Sequence, residues 1–312
     1  MERVRDNGSN WPWIGAALLA QAGWGVYPVL ARYLQTVSLL PSMSIVAFGS
    51  LVALAVVGSA FLPHVEWKAF RSRRLLLFGL IVVSRGITNF LAARFTLAIH
   101  VQLVTLLTPF LVALLSRAVL HEQLPRNTGR AIILSLLGAI LLIGGGLLEF
   151  DSLPAANRSD WLGISLALAS SLLLAIYMIA VRGTARYHIR GEMLLIVQLF
   201  ALAFATGVLS VVLGEDWDKW SRLQPLDWLI FAALALGILA GCNVAQIGSI
   251  RHLGAAMVSS TMALRLVSAL IVAALLLDEH LTSFWQFLGV ILVLTTITWY
   301  LWQQRAPTQL HR

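Results

Sequence analysis

Two arginines stand where charge is expensive. Arg85 lies within the apolar run 75–93 and Arg265 within 254–277, and neither run contains an Asp or Glu. A guanidinium stays charged and presents five N–H donors in a planar fork, so the chemistry it offers is a bidentate grip on a carboxylate or phosphate. A central arginine costs about 2.5–3.5 kcal/mol on translocon scales, so each must face an interior or a wet cavity and be compensated there. All 14 acidic residues of the chain fall in termini, loops or the ends of apolar runs. Compensation therefore comes from carbonyls, polar side chains, water or a bound anion. Two readings of each arginine stand side by side: an anion site, or a tie holding a broken helix opposite it.

Polar neighbours recur at helical spacing. Thr88 and Asn89 follow Arg85 at i+3 and i+4 and share its face, and Thr261 and Ser268 flank Arg265 in the same way. Gln21, Trp24 and Tyr27 interrupt the run 13–34, Gln102 and Thr105 the run 100–118, and Asn243 and Gln246 the run 228–247. Taken together they outline a substrate-binding cavity of Gln21, Trp24, Tyr27, Arg85, Thr88, Asn89, Gln102, Thr105, Asn243, Gln246, Thr261 and Arg265. Taken singly, each could serve as a helix-to-helix hydrogen bond instead. Catalytic and metal-ligating residues are expected to be absent, because no clustered His, Asp or Glu and no H-x-x-x-H spacing occurs. The run Gly144-Gly145-Gly146 is followed by apolar residues rather than the Lys-Ser/Thr of a phosphate loop, which leaves close helix packing as its reading.

The elements that must position these residues follow from composition. Of 312 residues, 59% are hydrophobic and 12% charged, against about half and a quarter in soluble domains, so lipid is the solvent. The net charge of +8 sits singly between apolar runs, which excludes nucleic acid as a partner and makes the charge a topology signal. The one cysteine, Cys242, excludes a disulfide framework. A crossing helix needs about 20 apolar residues. Ten segments qualify: 13–34, 43–62, 75–93, 100–118, 130–148, 161–181, 193–213, 228–247, 254–277 and 284–302. Lys and Arg concentrate at the termini and in alternate loops, as at Arg3, Arg5, Arg73, Arg74, Arg182, Arg186 and Arg190, whereas Glu149, Asp151, Asp216 and Asp218 mark the other side. Both termini are thus expected in the cytoplasm.

The chain also repeats itself. WIGAAL at 13–18 answers WLGISL at 161–166, YPVLAR at 27–32 answers YMIAVR at 177–182, and His121-Glu122-Gln123-Leu124 answers Asp278-Glu279-His280-Leu281. Five helices per half is odd, so the second copy is inverted and any site lies near the midplane between the halves. The expected fold class is an all-α integral membrane protein of ten transmembrane helices in two inverted five-helix repeats. The expected division is a first repeat over 1–148, an extracytoplasmic linker over 149–160, a second repeat over 161–304 and a cytoplasmic tail over 305–312.

Several motifs point further: Trp24-Gly25, the run Ala92-Ala93-Arg94-Phe95-Thr96, Thr108-Pro109, Glu122, the run Arg251-His252-Leu253-Gly254-Ala255-Ala256, and Asp278-Glu279. On these residues the chain resembles the drug/metabolite transporter superfamily, in its ten-helix EamA-type branch. It departs from that pattern at Leu266, where the counterpart of Pro109 is missing, and at Arg265, where a small or polar residue is usual. The resemblance implies a secondary transporter, an exporter of small metabolites such as amino acids or organic anions, working by alternating access, without cofactor, in the cell inner (plasma) membrane. Its partners would be the lipid bilayer and a small-molecule substrate, anionic if the arginines bind it, with homodimerisation left open. A non-transporting sensor or scaffold, or a membrane enzyme acting on lipid-linked substrates, are the alternatives; the first finds no soluble output domain and the second no catalytic cluster.

Overall fold

Every backbone N–H and C=O in a hydrocarbon layer needs a partner within its own segment, which makes long apolar runs helices. The computed structural model describes residues 11–61, 72–96, 98–121, 127–149, 158–186, 189–277 and 284–303, and these hold helices and no strand. In chain order the α-helices are α1 Trp11–Thr36, α2 Ser42–Phe61, α3 Arg73–Phe95, α4 Ala98–Thr105, α5 Thr108–Val119, α6 Thr128–Glu149, α7 Arg158–Arg186, α8 Gly191–Val212, α9 Pro225–Ala232, α10 Asn243–Leu253, α11 Ala255–Ser260, α12 Leu264–Leu277 and α13 Phe284–Gln303. A 3-10 turn, Trp217–Arg222, precedes α9, and a π-helical stretch, Ala233–Cys242, joins α9 to α10.

Six segments are long and apolar enough to cross a membrane: Trp11–Thr36, Ser42–Phe61, Arg73–Phe95, Trp161–Ala185, Gly191–Val212 and Pro225–Leu253. Shorter apolar helices run over Thr108–Val119, Thr128–Gly138, Leu264–Leu276 and Phe287–Tyr300. Outward-facing side chains are large and apolar, with Leu76, Leu80, Phe204 and Leu275 all more than three-fifths exposed; such a surface suits lipid and not water. The continuous core runs between α1, α2, α3, α7, α8 and the α9–α10 segment. Helices far apart in the chain pack pairwise: α2 on α8, α3 on α7, α6 on α13, and α1 on both α10 and α12.

Two expected spans are broken. The run 100–118 divides into α4 and α5 around Leu106-Leu107, with Pro109 at the start of α5, where a missing N–H costs nothing. The run 254–277 divides into α11 and α12 without any proline. Here Ser259, Ser260 and Thr261 each turn the hydroxyl back onto a carbonyl of their own helix, at Ala256, Met257 and Val258. The backbone from Thr261 to Leu266 then tightens to i→i−3 bonding. Consecutive hydroxyls competing for helix carbonyls explain this break. Within the stretch 149–160, α6 reaches Glu149 and α7 begins at Arg158. Glu122, Asp278 and Glu279, the first ten residues and the tail 305–312 lie outside the described residues.

Candidate functional site

The site is organised by α1. Pro28 has no N–H, so the carbonyl of Trp24, four residues earlier, loses its helical partner. Gln102 from α4 supplies one: its Nε2 donates to the Trp24 carbonyl at 3.2 Å and to that of Gly25 at 3.3 Å. On the other side α12 comes in close. A Cβ on Gly25 would lie 2.0 Å from Ser268 Oγ and 2.2 Å from the Arg265 carbonyl oxygen, so only glycine allows this approach. The Ser268 hydroxyl seals it by donating to the Ala22 carbonyl at 2.8 Å. The Trp24-Gly25 pair thus has two jobs, an aromatic face and a backbone that another helix can touch.

Both arginines converge on that face. The Arg85 guanidinium carbon lies 4.9 Å from the Trp24 ring centre and 4.9 Å from that of Tyr177, and the Arg265 guanidinium carbon lies 5.9 Å from Trp24. Arg85 is 8% and Arg265 4% exposed, so both are charges shielded by rings. Their remaining partners differ. Arg265 Nε donates to Gln21 Oε1 at 2.6 Å, Gln21 Nε2 donates on to the Val258 carbonyl at 3.4 Å, and Arg265 Nη2 is buried without a hydrogen-bond partner among the described residues. Arg85 forms no side-chain hydrogen bond or ion pair among the described residues; two aromatic rings hold it in place.

Arg85 opens onto a cavity of about 30 Å³, room for about two water molecules. Its polar lining is Trp24, Tyr27, Arg85, Asn89, Gln198 and Asn243, and Val82, Leu202 and Leu239 supply apolar wall. One side of the lining is fixed by a relay that runs from α7 through α8 and α10 to the π-helical stretch. The Tyr177 hydroxyl donates to Gln198 Oε1 at 3.0 Å, Gln198 Nε2 donates to Asn243 Oδ1 at 2.7 Å, and Asn243 Nδ2 donates to the Leu239 carbonyl at 2.8 Å, inside the π-helical stretch. Short π stretches recur at functional positions.

Of the residues expected from sequence, Trp24, Tyr27, Arg85, Asn89 and Asn243 meet at this cavity. Arg265 and Gln21 pair beside it, at Trp24. Gln102 supports the proline step. Thr88, Thr105 and Thr261 bond back to carbonyls of their own helices, at Ser84, Val101 and Val258, and do not line the cavity. Gln246 is fully buried with neither amide atom partnered among the described residues. Sequence reasoning missed Gln198 and Tyr177. Gln198 carried the same signal as Arg85, a polar group in an apolar run, and Tyr177 answers Tyr27 in the matched segments YMIAVR and YPVLAR.

The model of the EamA-like transporter family matches residues 11–144. That stretch is similar to the EamA-like transporter family. The match is consistent with the drug/metabolite transporter resemblance of the motifs, and together with six membrane-length helices it supports a multi-pass membrane protein. A solved crystal structure shares the fold, with a TM-score of 0.74, 17% identity and coverage of 96% of this chain and 100% of that one. No curated protein matches the sequence. Other residues of the sequence motifs and matched segments have structural roles. Arg32 Nη1 donates to the Thr96 carbonyl at 2.8 Å, and Arg94 Nη1 to Ser42 Oγ at 3.2 Å, tying the end of α3 to α1 and α2. Arg182, which answers Arg32 in the matched segments YMIAVR and YPVLAR, donates to the Arg251 carbonyl. Gly254 then turns α10 into α11 at φ +91°, a conformation that L side chains rarely adopt.

Proposed function

We propose that this chain is a secondary transporter, an exporter of small metabolites such as amino acids or organic anions, that works by alternating access through the central cavity. Two inverted five-helix repeats, 1–148 and 161–304, form the two sides, in a ten-span arrangement with both termini in the cytoplasm of a cell inner (plasma) membrane. Pairwise packing of the halves, breaks in both α4–α5 and α11–α12, and the matching Arg32 and Arg182 ties support the repeat reading. Discontinuous helices at a repeat interface are where transporters place substrate. A cavity of about 30 Å³ is too small for a metabolite, so loading requires the halves to part, as alternating access supplies.

One observation carries the binding reading. Arg85 and Arg265 converge on a single indole, and no acidic side chain among the described residues touches either. Two shielded cations without a counter-ion make a seat for a carboxylate or phosphate. Replacing Arg85 by Gln keeps hydrogen bonding and removes both charge and fork. A charge-assisted hydrogen bond is worth about 1.5–3 kcal/mol, so anion affinity should fall by roughly ten- to more than a hundredfold while the melting temperature holds. Substrate-panel flux and binding in reconstituted vesicles test this directly. Unchanged anion affinity in a well-folded Arg85→Gln protein would sink the anion seat.

A further inference from the structure

The wall opposite Arg85 says what else the anion should carry. Every polar group there is neutral: the phenol of Tyr27 and the amides of Asn89, Gln198 and Asn243. The Tyr177 relay fixes Gln198 with its amide oxygen accepting and its nitrogen donating, and each of these atoms keeps capacity for a second bond. Asn89 makes no side-chain hydrogen bond among the described residues and so has its full amide to offer. A hydroxyl or amide on the ligand can both donate to and accept from such a wall. An ammonium, in contrast, is best held by a carboxylate, and the described lining of this cavity offers none. Among the described residues no Asp or Glu lines it, and the faces of Trp24 and Tyr177 are already taken by the Arg85 guanidinium. Arg265 over the same Trp24 ring adds a second positive charge against any further cation.

We propose that the Arg85 cavity selects carboxylates that carry a neutral hydrogen-bonding group, of the 2-hydroxy acid kind, and discriminates against their 2-ammonium counterparts. The inference rests on the anion seat proposed above and narrows it. Its test uses matched triplets that differ only at the 2-position: propionate, lactate and alanine; glutarate, 2-hydroxyglutarate and glutamate; 3-phenylpropionate, phenyllactate and phenylalanine. Binding to the full chain in lipid nanodiscs is read from the ligand-dependent rise in melting temperature and from flux in vesicles. In each triplet that binds, the hydroxy acid should bind at least tenfold more tightly than the amino acid, about 1.4 kcal/mol, with the plain acid between them. Asn89→Ala should shrink the hydroxy-over-plain preference by several-fold. Gln198→Met should do the same, and Asn89→Ala covers the case in which breaking the relay unfolds the protein.

An amino acid that binds as well as its hydroxy counterpart, while Arg85→Gln still weakens both, overturns this inference and leaves the anion seat standing. Failure of all nine acids to bind at millimolar concentration, or indifference of the plain acids to Arg85→Gln, removes both.

Discussion

Arg85 and Arg265 carry the same charge onto the same indole but hold it differently. Arg265 is anchored by Gln21, and its loss of that acceptor would leave a buried guanidinium short of a partner. Gln21→Leu should therefore destabilise the protein by about 1.5–3 kcal/mol, read as a lower melting temperature for every ligand alike. A wild-type melting temperature would show that the 2.6 Å bond contributes nothing. Gly25→Ala should cost about 1–3 kcal/mol, because its Cβ would meet the Arg265 backbone rather than a side chain that can swing away. The arginines were legible in the sequence because a charge in an apolar run has few explanations. Gln198 sits just as deep, but a neutral amide costs less, and helix-to-helix bonding explains most of them. Thr88 and Thr261 show the limit of spacing arguments: they share a face with the arginines, yet each hydroxyl, like that of Thr105, is spent on its own helix.

Among the elements, α1 illustrates how one residue's defect becomes another's function. Pro28 strips the Trp24 carbonyl of its helical bond and Gln102 restores it from α4. Gln102→Leu should cost about 1–3 kcal/mol, the penalty of an unpaired buried carbonyl. In a Pro28→Ala background the helix makes its own bond, and the same substitution should become nearly neutral. A double-mutant cycle with no coupling between positions 28 and 102 would refute the link. Broken spans were half legible. Pro109 marks the first break, but the second has no proline to mark it, with Leu266 in the corresponding place. Three adjacent hydroxyls did the work of a proline there, a local competition that apolar periodicity does not register.

At the scale of the whole molecule, the proposed topology places reporters fused at either terminus, or near Arg73 and Arg186, in the cytoplasm, and reporters near Asp151 and Asp218 on the far side. A terminus outside would contradict the inverted arrangement. Described acidic side chains lie in loops or first helical turns, as Glu192, Glu215, Asp216, Asp218 and Asp227 do, so no intramembrane carboxylate among them is available to carry a proton. Flux should accordingly persist as exchange when the pH gradient is collapsed, and strict dependence on that gradient would mean a titrating group elsewhere. The all-helical class and the membrane were legible from composition, because excess apolar surface admits one solvent. Which helices touch was not, since lipid-facing and buried Leu look alike in sequence. The Arg265 pairing also bears on how the chain is made. Ribosomes deliver α1 first and α12 near the end, and Leu264–Leu276 is one of the short apolar helices, with an arginine that insertion disfavours by about 2.5–3.5 kcal/mol. Its acceptor, Gln21, and the indole that screens it are already in the bilayer when it emerges. Synthesised alone, residues 161–304 should insert poorly and be degraded, and supplying 1–148 from a second gene should restore them. Equal accumulation of 161–304 without its partner would mean that Arg265 finds shelter in the lipid by itself.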